Sequence, residues 1–272
     1  MTTTAESPDT GSASATPRAD CIADSAGGVT FDITGAGRPG ATLVLRRRGA
    51  NPGPDVLLPL TPAAEGRLRA VLPSTVELAE GLWDGYLRVG EEEQRLEPGT
   101  RDLRALVDRE PGPDADRVAV RIPYAGRSGE LIVRSWLRKP HAETGTIGFG
   151  EGAVTVQGRL YGTGLGPDAV VEARLRGGGG RVHRVPATAE GDGFTFTLPY
   201  APLAEGLDAK EWLWDLWLVT GTAAVRLARI LDDVPLKQVI FVYPGSRVGP
   251  GVVRPYYTGA NDLSVRVDAA AG

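Results

Sequence analysis

Few residues in this chain have types suited to catalysis or metal binding. His141 and His183 are its two histidines and Cys21 its one cysteine among 272 residues. Neither histidine has a carboxylate or a second histidine at metal-ligand spacing, and neither follows an activated-serine motif. A single cysteine makes neither an intrachain disulfide nor a cysteine-based metal site. Asp232-Asp233 and Glu91-Glu92-Glu93 are runs of adjacent acids. Neighbouring acids on a strand end or turn point apart, so both runs read as solvated surface. Glycosidase chemistry needs two carboxylates that converge in space, and no spacing here favours such a pair. No catalytic residue, metal or cofactor is expected.

Gly35-x-Gly37-x-x-Gly40 has the letters of a dinucleotide-binding loop. That loop must open a helix whose N-terminus meets pyrophosphate. Here Pro39-Gly40 opens ATLVLRRR, a β-branched run, so a glycine turn between strands is expected.

The remaining candidates are aromatic and charged. In WLWDLWLV (212–219), alternation puts Trp212, Trp214, Leu216 and Leu218 on one face, and Leu213, Asp215, Trp217 and Val219 on the other. In LWDGYLRV (82–89), Trp83, Gly85 and Leu87 share one face, and Leu82, Asp84, Tyr86 and Arg88 the other. The uncharged faces belong in a core, which makes Trp83 and Trp214 equivalent core residues. Each outer face then carries an acid beside an aromatic: Asp84 with Tyr86, and Asp215 with Trp217. Such a pair can stack a sugar ring and accept its hydroxyls, or it can satisfy neighbouring arginines or a domain contact. Arg46 and Arg48 share a face of the strand ATLVLRRR, where they can fork onto phosphate or keep a sheet edge from aggregating. The ligand-contact candidates are therefore Tyr86, Asp84, Trp217, Asp215, Arg46 and Arg48.

The elements that must position them occur twice. LPSTVELAEGLWDGYLRVG (72–90) resembles LPYAPLAEGLDAKEWLWDLWLVTG (198–221), with LAEGL identical and six residues inserted in the second copy. Trp212 falls in that insertion. PYAGRSGELIVR (123–134) resembles PYYTGANDLSVR (255–266) at a constant offset of 132, and GGVTFDITGAGRPGATLVLRRR (27–48) resembles GAVTVQGRLYGTGLGPDAVVEARLR (152–176). Three blocks in one order indicate duplication of a whole domain. Short runs rich in Val, Leu, Ile and aromatics, QVIFVY (238–243) among them, alternate with Gly, Pro and Asp in both copies. That spacing predicts an all-β chain of two tandem immunoglobulin-like antiparallel β-sandwiches. LTPAAEGRLRAV (60–71) and TRDLRALVD (100–108) read as short helical turns. The expected layout is a disordered tail over 1–24, a first sandwich over 25–140 and a second over 147–270. The boundary lies in the polar, glycine-rich stretch 138–152.

The formal net charge of −4 gives no electrostatic case for nonspecific nucleic-acid binding. No run approaches 18 apolar residues, so no membrane insertion is expected. The first twenty residues lack the basic and apolar regions of a signal peptide, which makes the cytoplasm the default location.

The two tryptophan strands, EGLWDGYLRVG and EWLWDLWLVTG, and above all VRPYYTGANDLSVRV (253–267) resemble the β-sandwich repeats appended to actinobacterial cell-wall polymer transferases. These are the CDP-glycerol glycerophosphotransferases and glycosyltransferases of teichoic-acid-like synthesis. The resemblance covers about residues 25–270. The catalytic domain of those enzymes, with its parallel sheet and acidic metal motifs, has no counterpart here. The resemblance therefore implies a non-catalytic accessory protein that binds cell-wall carbohydrate polymer or a partner transferase. One alternative is a homo-oligomeric assembly module without glycan affinity, built on sandwich edges or on the Trp217 face. Another is a transferase with an unrecognised carboxylate site.

Overall fold

The computed structural model describes residues 16–35, 40–112, 117–190, 193–221, 223–249 and 251–270. The first copy contributes β1 (Arg18–Ala23), β2 (Val29–Thr34), β3 (Thr42–Arg47), β4 (Val56–Pro59), β5 (Thr61–Pro62), β6 (Leu68–Leu72), β7 (Gly81–Val89), β8 (Glu92–Arg95), β9 (Glu97–Asp102), β10 (Val118–Ala125) and β11 (Leu131–Arg138). Two sheets result, ordered β5-β6-β2-β1-β9 and β10-β11-β7-β3-β4, with β8 also on β7. Alternation sends Phe31, Ile33, Leu72 and Ala19 from one sheet, and Leu43, Leu45, Trp83, Leu87 and Val133 from the other, into a shared core.

The second copy contributes β12 (His141–Gly150), β13 (Ala153–Tyr161), β14 (Val170–Leu175), β15 (Val182–Pro186), β16 (Thr188–Glu190), β17 (Gly193–Pro199), α1 (Ala201–Ala204), β18 (Glu211–Val219), β19 (Ala224–Ala228), β20 (Ser246–Val248), β21 (Gly251–Tyr257) and β22 (Leu263–Ala269). Its strand order repeats that of the first copy. The path β16-β17-β13-β12-β19 matches β5-β6-β2-β1-β9, and β21-β22-β18-β14-β15 matches β10-β11-β7-β3-β4. The duplication read in the sequence is thus present in the topology.

The outcome differs from two discrete antiparallel sandwiches. In the first copy the chain leaves β7 after β8, bends at Leu96 and pairs in parallel with β1 as β9. In the second copy one strand, β19, does both tasks. It pairs antiparallel with β18 through residues 224–226 and parallel with β12 at residues 227–228. That one strand joins both layers into an 11-stranded sheet curled around its own core of Trp214, Leu216, Phe194, Val265 and Tyr257.

Four further expectations are corrected. The tail over 1–24 does not run that far. Ala19, Cys21 and Ala23 are buried in β1, because small apolar residues at every second position suit a paired strand; residues 1–15 lie outside the described residues. The stretch 138–152 is a bend at Lys139-Pro140 followed by β12, whose ladder with β13 satisfies the backbone of a glycine-rich run. Gly158 lets that ladder close, since a Cβ there would clash with the Glu143 carbonyl. LTPAAEGRLRAV forms β5 and β6 around one 3-10 turn, whereas 100–108 does contain a 3-10 turn, at Arg104–Leu106. QVIFVY is not a strand. It begins within a 3-10 turn at Lys237–Val239 and has no ladder partner, its path being set by Lys237 N–H donating to the Asn261 side chain.

The two copies meet over a third apolar cluster that includes Val118, Val120, Ile122 and Trp136 of the first and Ala228 and Ile230 of the second. Trp136 Nε1 donates to the Ala260 carbonyl at 2.9 Å, and Arg138 pairs with Asp262 at 2.9 Å. The β21–β22 turn at Asn261-Asp262 is therefore part of the junction as well as a hairpin. Asn261, fully buried with φ of 60°, also accepts from Lys237 N and donates to the Val234 carbonyl.

Candidate functional site

The outer faces of β3–β7 and β14–β18 carry the same arrangement. Pairing sets Arg46 opposite Asp84 and Val44 opposite Tyr86; in the second copy Arg174 faces Asp215 and Glu172 faces Trp217. Trp83 and Trp214 point inward, 4% and 0% exposed, while Tyr86 and Trp217 are half-buried on the outside. Trp212 packs partly buried against the second core.

Arg48 forks onto Asp84, Nε to Oδ2 at 2.9 Å and Nη2 to Oδ1 at 2.6 Å, and reaches Glu130 at 2.9 Å. Arg46 pairs with Asp55 at 2.7 Å and Glu93 at 3.0 Å, and its guanidinium lies 5.1 Å from the Tyr86 ring centre. Arg95 lies 5.7 Å from the same ring. In the second copy Arg176 and Arg226 each reach Asp215 Oδ1 at 2.5 Å. Arg174 lies 4.7 Å and Arg226 5.5 Å from the Trp217 ring. Glu172 bonds Arg174 and Arg184, each at 2.8 Å. Thus all six candidates lie in two equivalent clusters: Arg46, Arg48, Asp84 and Tyr86 in one, Asp215 and Trp217 in the other.

Electrostatics follow from the pairing. Burial pushes the Asp215 carboxyl up, but Arg176 and Arg226 outweigh it and hold it below its usual value. Asp55, then Glu93, raise the Arg46 guanidinium, and Asp84 leads in raising Arg48. In both clusters the acid and the aromatic are engaged by arginines of the same chain. Both Asp84 oxygens are engaged, one Asp215 oxygen accepts from two arginines, and arginines lie over both aromatic rings. Chemically each cluster is an ion-pair lattice with cation–π contacts, which stiffens the outer sheet face.

The other chemical residues also resolve. His141 is fully buried, its Nε2 2.7 Å from Glu143, and burial lowers the His183 pKa. Asp232 pairs with Lys237 and Arg229, while Asp233 turns to an open groove of about 700 Å³ along Gly99–Arg104, so the two acids do point apart. Gly35 and Gly40 have φ of 80° and 82°, as a glycine turn requires; the intervening 36–39 lie outside the described residues. Cys21 is buried, which pushes its thiol up to about 12. Among the described residues no group of three His, Cys, Asp or Glu is arranged to hold a metal ion, and no helix is long and apolar enough to cross a membrane.

Sequence reasoning missed a surface. Val239, Ile240 and Val242 are 69%, 61% and 83% exposed, and Phe149, 42% exposed, has its ring 5.3 Å from that of Tyr243 at a tilt of 41°. The apolar run was visible in QVIFVY, but its composition is that of a buried strand. Only the absence of a ladder partner turns it outward.

No family model matches the chain, and no curated protein matches it. Among solved structures it is remotely similar to a fragment of S. aureus TarS, with 12% identity, a TM-score of 0.29, and coverage of 78% of this chain and 62% of that one. A pullulanase from Anoxybacillus sp. LM18-11 has 11% identity and a TM-score of 0.26, over 76% of this chain and 24% of that one. A Dpr11–DIP-gamma complex has 11% identity and a TM-score of 0.22, over 78% and 97%. The chain thus spans less than two thirds of the TarS fragment and about a quarter of the pullulanase.

Proposed function

We propose that this chain is a non-catalytic assembly module that associates with further copies of itself. Each of its halves is read as an immunoglobulin-like unit, on the strength of the repeated strand order. The observation that carries the reading is the exposed apolar run Val239, Ile240 and Val242. Neighbouring apolar side chains held in water cost free energy that a protein contact recovers, and such runs mark interaction surfaces. These side chains are not needed for the core, so removing them leaves the fold intact. The test is light scattering across a dilution series. The wild type is expected to associate, and Ile240→Asp with Val242→Asp to be monomeric with an unchanged circular dichroism spectrum. A wild type that stays monomeric at every concentration removes the proposal.

The proposed setting is cell-wall polymer synthesis beside a transferase, supported by the resemblance of VRPYYTGANDLSVRV to repeats of such enzymes. A second reading, direct contact with an anionic polymer, draws support from the duplicated arginine–aromatic clusters at Tyr86 and Trp217. Titration of wall polymer against wild type, Tyr86→Ala and Trp217→Ala tests it. Binding that both substitutions weaken favours it, and no binding by the wild type ends it.

A further inference from the structure

Arg121 and Arg134 are buried in the first copy, and Arg109 is partly buried. Arg121, 3% exposed, donates to the carbonyls of Pro73, Val76 and Gly27. Arg109 donates to those of Ser25 and Ala119. Arg134, 9% exposed, is different: among the described residues it has no hydrogen-bond or ion-pair partner. It stacks on Trp136, with 4.9 Å to the ring centre, and its Nε is shut off from solvent without an acceptor. A buried cation without acceptors carries a desolvation cost that an anion would relieve.

The carboxylates that act on this charge make no ion pair with it. Arg134 sits on the outer face of β11, between Ile132 and Trp136. Nearby Glu80 and Asp262 are both taken by Arg138, at 3.0 and 2.9 Å. Asp84 and Glu130, further along the face, are both taken by Arg48. The ladder continues across the junction, where Asp262 also approaches Arg226 at 3.7 Å and Arg226 holds Asp215. On this face of the first copy Arg46, Arg48, Arg88, Arg95 and Arg138 all have a carboxylate within 4.0 Å, and Arg134 has none. Trp136 is itself fixed by its bond to Ala260 of the second copy, which holds the stack in place.

We infer that Arg134, backed by Trp136 beside the junction of the two copies, is a binding site for an oxyanion, a carboxylate or a phosphate group. The terminal guanidinium nitrogens supply a planar pair of donors, the geometry that both anions accept bidentately. The site is independent of the apolar strip at Val239–Val242, so it stands or falls separately from self-association.

Isothermal titration of the full chain with inorganic phosphate and with acetate, against sodium chloride at matched ionic strength, tests the site. The wild type is expected to bind at least one of them saturably, and Arg134→Gln to bind it roughly tenfold more weakly or not at all. Saturation by phosphate alone identifies a phosphate ligand, and saturation by acetate as well identifies a carboxylate-compatible one. Absence of saturable binding by the wild type overturns the inference, as does equal affinity in Arg134→Gln. Should Arg134→Gln fail to fold, the Arg134 Nε–H resonance of the wild type serves instead. A shift that saturates with anion supports the site, and a resonance unmoved by either anion overturns it.

Discussion

Asp215 Oδ1 accepts from Arg176, from Arg226 and, at 3.2 Å, from Ser264. Two cations on one partly buried oxygen explain why the carboxyl stays ionised more readily than usual despite burial. Glu172, between Arg174 and Arg184, is lowered for the same reason against the same opposition from burial. A carboxyl lowered in the folded state contributes stability in full above its unfolded value and loses it as pH falls through the folded one. The thermal midpoint is therefore expected to hold near neutrality and to fall once pH drops below the ordinary values of 4.5 for Glu172 and 3.8 for Asp215. Asp215→Asn should be less stable at pH 7 and should show a shallower acid limb. A variant whose melting profile parallels the wild type down to low pH would show that the pairing contributes nothing to stability.

At the scale of the strand, β18 divides the tryptophans by alternation. Trp214 is fully buried in the second core, its Nε1 donating to the Leu203 carbonyl at 3.2 Å, whereas Trp217 lies under two arginines on the outer face. Trp214→Ala is expected to cost about 3–5 kcal/mol in urea denaturation. Trp217→Ala should cost far less, about 1 kcal/mol for a half-buried cation–π contact. Equal losses would mean that the two faces are not distinct. This division was readable from the sequence, because alternation along a strand is local. The partners of the acids were not, because Asp84 meets Arg48 across 36 residues and Asp215 meets Arg226 through a strand whose register no local pattern fixes.

At the scale of the molecule, the junction ties the copies into one body. Trp136 is fully buried; it clusters with Val118, Val120 and Ile122 of its own copy and with Ala228 and Ile230 of the second, and bonds Ala260 there. Calorimetry of the wild type is expected to show one cooperative transition, and Trp136→Ala two, as the copies melt apart. A single unaltered transition in the variant would place the coupling elsewhere. Nothing in ELIVRSWL announced this role, since at the offset of 132 the second copy has Asp268 where the first has Trp136. The duplication predicts like elements, and a contact between unlike surfaces of two copies falls outside what a repeat can reveal.

The sequence alone determined the β-class of the chain, its duplication, the inward tryptophans and the outward acid–aromatic pairs. All of these rest on composition and on a period of two, which neighbouring residues carry by themselves. The tertiary structure decided the rest. It drew Arg18–Ala23 into a sheet, let one strand fuse both layers of the second copy, turned Val239, Ile240 and Val242 outward and left Arg134 buried without an acceptor. Each of these depends on which distant segment comes to lie alongside, and on which polar groups that neighbour brings.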